Sequence, residues 1–127
     1  MEIKPNHIQT VLIVDDSPTI HSFVKAHLLG EPVEIVSAYD GNEGLSIAQS
    51  TPPDLILLDV EMPGLSGFEV LDRLRQKYSL AELPVIMATA LGENADVVRA
   101  LSQGASDYLV KPFDFAVAWP ASRPISL

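Results

Sequence analysis

No cysteine occurs in this 127-residue chain, which excludes a disulfide framework and any zinc site built on thiolates. No apolar run approaches the length needed to span a bilayer, and residues 1–10 carry no apolar signal core. A soluble, cytoplasmic protein is therefore expected. Basic residues are scarce: 8 Lys and Arg against 17 Asp and Glu leave a formal charge of −9. That balance argues against direct binding to nucleic acid or to an anionic membrane, both of which want a basic surface. A glycine-rich phosphate loop ending in Gly-Lys-Ser or Gly-Lys-Thr is also missing, which excludes nucleotide binding of that kind. The length fits one domain with a single core.

What is present is a rhythm of short apolar runs. Residues 55–58 are consecutive apolar residues that run into Asp59, and Glu61, Met62, Pro63 and Gly64 make a loop beyond it. A short apolar run bounded by turn formers reads as a strand buried on both faces, as in parallel sheets. Residues 10–14 repeat the pattern and end in Asp15 and Asp16; Ser17 and Pro18 then supply an N-cap and a first helical position. Ile20, Phe23, Val24 and Leu28 follow at helical spacing, closed by Gly30. Residues 33–38 read as a strand, and Asp40-Gly41 as a turn that caps a short helix over residues 42–49.

Ser66-Gly67 opens another helix, with Phe68, Leu71, Leu74 and Tyr78 on one side, and residues 85–88 form a strand that ends in Thr89. A helix over residues 93–103 carries a thin apolar stripe of Val97, Val98 and Leu101. Residues 106–110 are the last strand, ahead of Lys111-Pro112-Phe113. Strands alternating with helices of this length predict βαβ units, hence a parallel sheet with helices on both faces.

In such a sheet the strand ends share one edge, where ligands bind in open α/β folds. Asp15, Asp16 and Asp59 would converge there with Thr89 and Lys111. Crowded carboxylates call for a divalent cation, and hard oxygen donors without Cys or a well-placed His suit Mg²⁺. A lysine and a hydroxyl supply a positive charge and a donor for a phosphoryl group, and an Asp can accept that group as an aspartyl-phosphate. Singly, each residue has an ordinary explanation: a solvated turn, a strand end, a surface lysine. Their joint position at strand ends outweighs those explanations. His7, His21 and His27 show no ligand spacing with the acidic cluster and are read as surface or helix-face residues.

The run Val14-Asp15-Asp16-Ser17, the run from Leu57 to Gly64, Thr89-Ala90, and Tyr108 ahead of Lys111-Pro112-Phe113 together resemble the response-regulator receiver domain of two-component signalling. The resemblance covers about residues 9–115. It implies a flavodoxin-like, doubly wound α/β fold whose five parallel strands run in the order 2-1-3-4-5. It makes Asp59 the phosphoacceptor, with Mg²⁺ held by the side chains of Asp16 and Asp59, by the backbone carbonyl of Glu61, and with help from Asp15. Thr89 and Lys111 would bind phosphoryl oxygens, Lys111-Pro112 would be cis, and Tyr108 would be the aromatic switch that follows Thr89. The implied partners are a sensor histidine kinase or phosphotransfer protein and an output domain or protein that the sequence does not identify. Only self-phosphorylation and self-dephosphorylation are expected as activity. The alternatives are a receiver-like interaction module that is never phosphorylated and, further off, an aspartyl-phosphate phosphatase, against which Glu61 stands where such enzymes carry a second Asp.

On this reading residues 1–9 are an N-terminal extension, 10–113 the receiver domain, and 114–127 an atypical tail in place of the fifth helix, which is short or absent. Pro120 and Pro124 leave room for about two helical turns from Asp114 to Trp119. An uncovered fifth-helix face would forfeit on the order of 6–12 kcal/mol, comparable with the whole stability of a domain at about 5–15 kcal/mol. Phe115, Val117 and Trp119 are therefore expected to pack on their own sheet, or on a neighbouring chain in a dimer through this face.

Overall fold

The computed structural model describes residues 8–89 and 94–110, and of residues 89, 94–96 and 110 the backbone alone. In chain order the elements are β1 (Gln9–Val14), α1 (Pro18–His27), β2 (Val33–Ala38), α2 (Gly41–Ser50), β3 (Leu55–Asp59), α3 (Gly67–Arg75), β4 (Val85–Thr89), α4 (Asn94–Ser102) and β5 (Asp107–Val110). Among the described residues the strands make one parallel sheet in the order β2-β1-β3-β4-β5, the order the resemblance implies. The expectations for Lys111, the cis bond, Phe115, Val117, Trp119 and the fifth helix fall outside the described residues.

Alternation along the strands divides the core into two layers, since successive strand side chains point to opposite faces. Leu12, Val14, Ile56, Leu58, Val85 and Met87 join Leu45 and Ala48 of α2, Phe68, Leu71 and Leu74 of α3, and Ala100 of α4. Val11, Ile13, Leu55, Leu57 and Ala88 face the other way, against Val24 of α1 and Leu28. All of β3 is buried, as a strand covered on both faces must be.

Three helix starts show how local chemistry sets the loops. Asp40 caps α2 by accepting from Glu43 N–H (2.8 Å), while the Glu43 carboxylate accepts from Tyr39 N–H (2.7 Å). Ser66 caps α3 by accepting from Glu69 N–H. At α1, Ser17 holds the cap position but its side chain makes no capping bond; its own N–H donates to Asp15 Oδ1 (2.9 Å) instead.

Two apolar assignments need correction. Val98 and Leu101 are 62% and 48% exposed, and the buried contacts on this side come from Ala100 and Ala105. A small residue lets α4 lie close to the sheet, so hydrophobicity alone pointed to the wrong face. Tyr78 lies beyond the end of α3 and is half-buried against the larger core layer. There Arg75 ends the helix: Nε donates to Gly104 O (2.7 Å) and Nη1 to Leu83 O (2.7 Å), tying α3 to the turns before β4 and β5.

Gly67 fixes how α3 approaches the end of β3. Its N–H donates to Val60 O (2.8 Å), and a Cβ there would stand 2.1 Å from Asp59 O and 2.8 Å from Val60 Cα. These are backbone atoms that cannot swing aside. Gly67→Ala should therefore cost about 1–3 kcal/mol, the range for forcing volume into a packed site. Urea unfolding measures it, and unchanged stability would show that the helix start has slack.

Candidate functional site at the carboxyl edge of the sheet

Register brings the acidic residues together. Val14 pairs with Leu58, so Asp15 begins where Asp59 ends β3, and Asp59 itself pairs with Ala88. One residue further along β4, Thr89 pairs with Val110, the residue that precedes Lys111. One carboxylate oxygen from each of Asp15, Asp16 and Asp59 lies within 4.8 Å of the others. Asp15 and Asp59 are buried (3% and 6% exposed), and Asp16 is exposed. The buried pair forms the floor of the cluster and Asp16 its rim.

Oxygen donors around an octahedral ion with metal–oxygen distances of about 2.1 Å lie at most about 4.2 Å apart. The observed spread is close to that limit. All donors are hard oxygens, which fits a magnesium-like cation over zinc or copper. Fully ionised, two carboxylates at this separation repel by about 3 kcal/mol at an effective dielectric of about 20, and less where Asp16 is involved. A divalent cation relieves that repulsion.

The other site residues expected from the sequence are placed as follows. Glu61 is exposed in the β3–α3 loop, and its carboxylate is not part of the cluster. It borders an open groove of about 550 Å³ that runs to Arg99, whose guanidinium sits 4.0 Å over the Phe68 ring. Thr89 closes β4, with its backbone opposite Val110. Tyr108 is half-buried on β5, packed against the larger core layer. Lys111 lies outside the described residues.

One residue of this neighbourhood was misread from the sequence. His21 is 1% exposed rather than on the surface, and both ring nitrogens are engaged: Nε2 with Asp15 O (2.8 Å) and Nδ1 with Ser37 Oγ (2.8 Å). The signal for burial was available, since His21 lies three and seven residues before Val24 and Leu28 on the buried stripe of α1. His27, by contrast, is exposed, as expected of a helix-face residue. No helix among the described residues is long and apolar enough to cross a membrane.

Comparison with known proteins agrees with this geometry. The family model described as the response regulator receiver domain matches residues 11–118. The chain is 42% identical over 104 residues to the DNA-binding dual master transcriptional regulator RpaA of Synechocystis sp., a match covering 82% of this chain and 43% of that protein. It is 44% identical over 113 residues to the probable transcriptional regulator ycf27 of Cyanophora paradoxa, covering 89% of this chain and 45% of that one. The chain thus spans less than half the length of these curated relatives. Among solved structures, the Vibrio cholerae chemotaxis protein CheY4 matches with a TM-score of 0.77 and 34% identity, over 85% of this chain and 90% of that one.

The acidic cluster makes a direct prediction. A divalent cation a hundredfold above its dissociation constant should stabilise the fold by about 2.7 kcal/mol, raising the thermal midpoint by on the order of 10 °C. Asp16→Ala should remove most of that shift. An equal shift in the variant would place the cation elsewhere.

Proposed function

The chain belongs to the response regulator receiver domain family, and from that membership we propose that Asp59 accepts a phosphoryl group from a histidine kinase or phosphotransfer protein, with Mg²⁺ held beside it. The observation that carries this reading is the meeting of Asp15, Asp16 and Asp59 at the carboxyl edge of a parallel sheet. Asp16 and Asp59 would hold the ion through their side chains, assisted by Asp15 and by the backbone carbonyl of Glu61. When bound, the ion neutralises charge on the phosphoryl oxygens and on the carboxylates around them.

A carboxylate oxygen of Asp59 attacks phosphorus as the bond to the donor's imidazole nitrogen breaks, and that nitrogen leaves with the electron pair. Phosphoryl transfer of this kind depends on alignment and charge neutralisation more than on covalent help from the protein. The rigidity of β3, fully buried and paired on both sides, supplies the alignment. Lys111 would pair with one phosphoryl oxygen and the Thr89 hydroxyl would donate to another. Tyr108 would follow Thr89 between two arrangements, and only the difference in how well they bind the phosphoryl group shifts the population.

Residues 10–113 would be the phosphorylated unit, acting in the cytoplasm, where a kinase's phosphorylated domain can reach it. The relatives named as transcriptional regulators make control of transcription the best-supported output. DNA contact would belong to a further segment, because a net charge of −9 disfavours it here. The chain is a phosphoacceptor and not a turnover enzyme: its activity toward phosphate is limited to gaining and losing one group.

Incubation with a small phosphodonor and Mg²⁺ should add one phosphoryl group per chain, read by mass spectrometry. Asp59→Asn should abolish the gain, and Lys111→Ala should slow it by about a hundredfold, as for loss of one charge-stabilising donor. Labelling that survives Asp59→Asn would sink the assignment.

A further inference from the structure

His21 is the buried titratable residue that the mechanism above leaves unused, and its partners tie it to the acidic loop. A carbonyl oxygen only accepts, so His21 Nε2 carries a proton and donates to Asp15 O at 2.8 Å. In the neutral ring Nδ1 is then the acceptor, and the Ser37 hydroxyl of β2 donates to it at 2.8 Å. The Tyr39 ring covers the imidazole, with centroids 4.3 Å apart. The ring is thus held from β2 while it holds the loop after β1.

The carbonyl it grips belongs to the peptide unit that joins Asp15 to Asp16. A peptide unit is planar, so its orientation fixes the ψ of Asp15 and the φ of Asp16 together. The rest of Asp15 is fixed as well: its N–H donates to Ala38 O (3.1 Å), and its Oδ1 accepts from Ser17 N–H (2.9 Å). The bond from His21 adds a restraint on the peptide between the two carboxylates.

We propose that His21 is a positioning residue for the cation site: by holding the Asp15–Asp16 peptide plane it presets the angle at which the two carboxylates face Asp59. This rests on the cation-assisted reading above. It assigns His21 no contact with cation or phosphoryl group. Its effect is on the conformational freedom that the acidic loop must lose before it can bind, which appears as affinity.

The test compares His21→Leu, which fills the space without a donor, with His21→Gln, whose amide N–H can reach the same carbonyl. Mg²⁺ binding is read by calorimetry, and thermal midpoints in EDTA are read alongside. His21→Leu should weaken Mg²⁺ affinity by about tenfold, the lower end of losses seen when groups orienting metal ligands are removed. His21→Gln should restore affinity to within about threefold of wild type. Wild-type affinity in folded His21→Leu, or equal losses in Leu and Gln, would overturn the proposal. Should His21→Leu not fold, Ser37→Ala decides: a loss of about threefold supports the proposal and no loss overturns it. A wild-type chain that binds no Mg²⁺ would instead overturn the functional reading, and this inference with it.

Discussion

Parallel register is the constraint on which the rest of this molecule depends. In an antiparallel sheet, neighbouring strands would send Asp15 and Asp59 to opposite edges. Here every described strand runs the same way, and Val14 pairs with Leu58, so residues 44 positions apart in the chain become neighbours in the cluster. The cost is topological. Each return from the carboxyl edge needs a crossover, and α1, α2, α3 and α4 supply them. Helices α2, α3 and α4 cover one face of the sheet and α1 packs on the other, which leaves the central strands β1 and β3 buried. Placing carboxylates at the ends of β1 and β3 puts charge at the one boundary where a buried strand meets solvent.

Backbone groups take part in shaping that boundary. Gly67 lets α3 begin against the carbonyl of Asp59, where any side chain would collide with the backbone. Asp15 has its N–H, its carbonyl and one carboxylate oxygen engaged by Ala38, His21 and Ser17. Positioning by backbone hydrogen bonds suits a charged cluster, because it fixes geometry without adding further charge beside the carboxylates.

Much of this was legible in the sequence because the signals are local or periodic. Apolar runs ending in Asp or Thr gave the strands, Asp40 and Ser66 gave two helix starts, and the order of strands and helices gave a parallel sheet with helices on both faces. The misreadings have one physical source: packing distance, which the sequence does not display. Val98 and Leu101 are apolar yet exposed, because Ala100 brings α4 close and turns its larger neighbours outward. His21 is polar yet buried, because Asp15 O and Ser37 Oγ happen to lie where its ring reaches. The three carboxylates were found because charge at the end of an apolar strand is costly enough to need a reason.

The same reasoning explains why the imidazole sits below the acidic loop and not in it. A histidine facing the cluster would compete as a ligand and bring a proton that titrates near neutrality. Turned away, with its Nε2–H on a carbonyl and Nδ1 on a β2 hydroxyl, it acts as a strut between two strands and a helix. β1 and β2 already pair along their whole length, from Gln9 opposite Val33 to Val14 opposite Ala38. The ladder of paired residues ends there, and the acidic loop begins at Asp15 and Asp16. His21 extends the restraint by one peptide beyond the last ladder bond, from Asp15 N–H on Ala38 O to Asp15 O on the ring. A site whose work is alignment needs its stiffness to reach as far as its ligands, and here a helix side chain carries it past the end of the sheet.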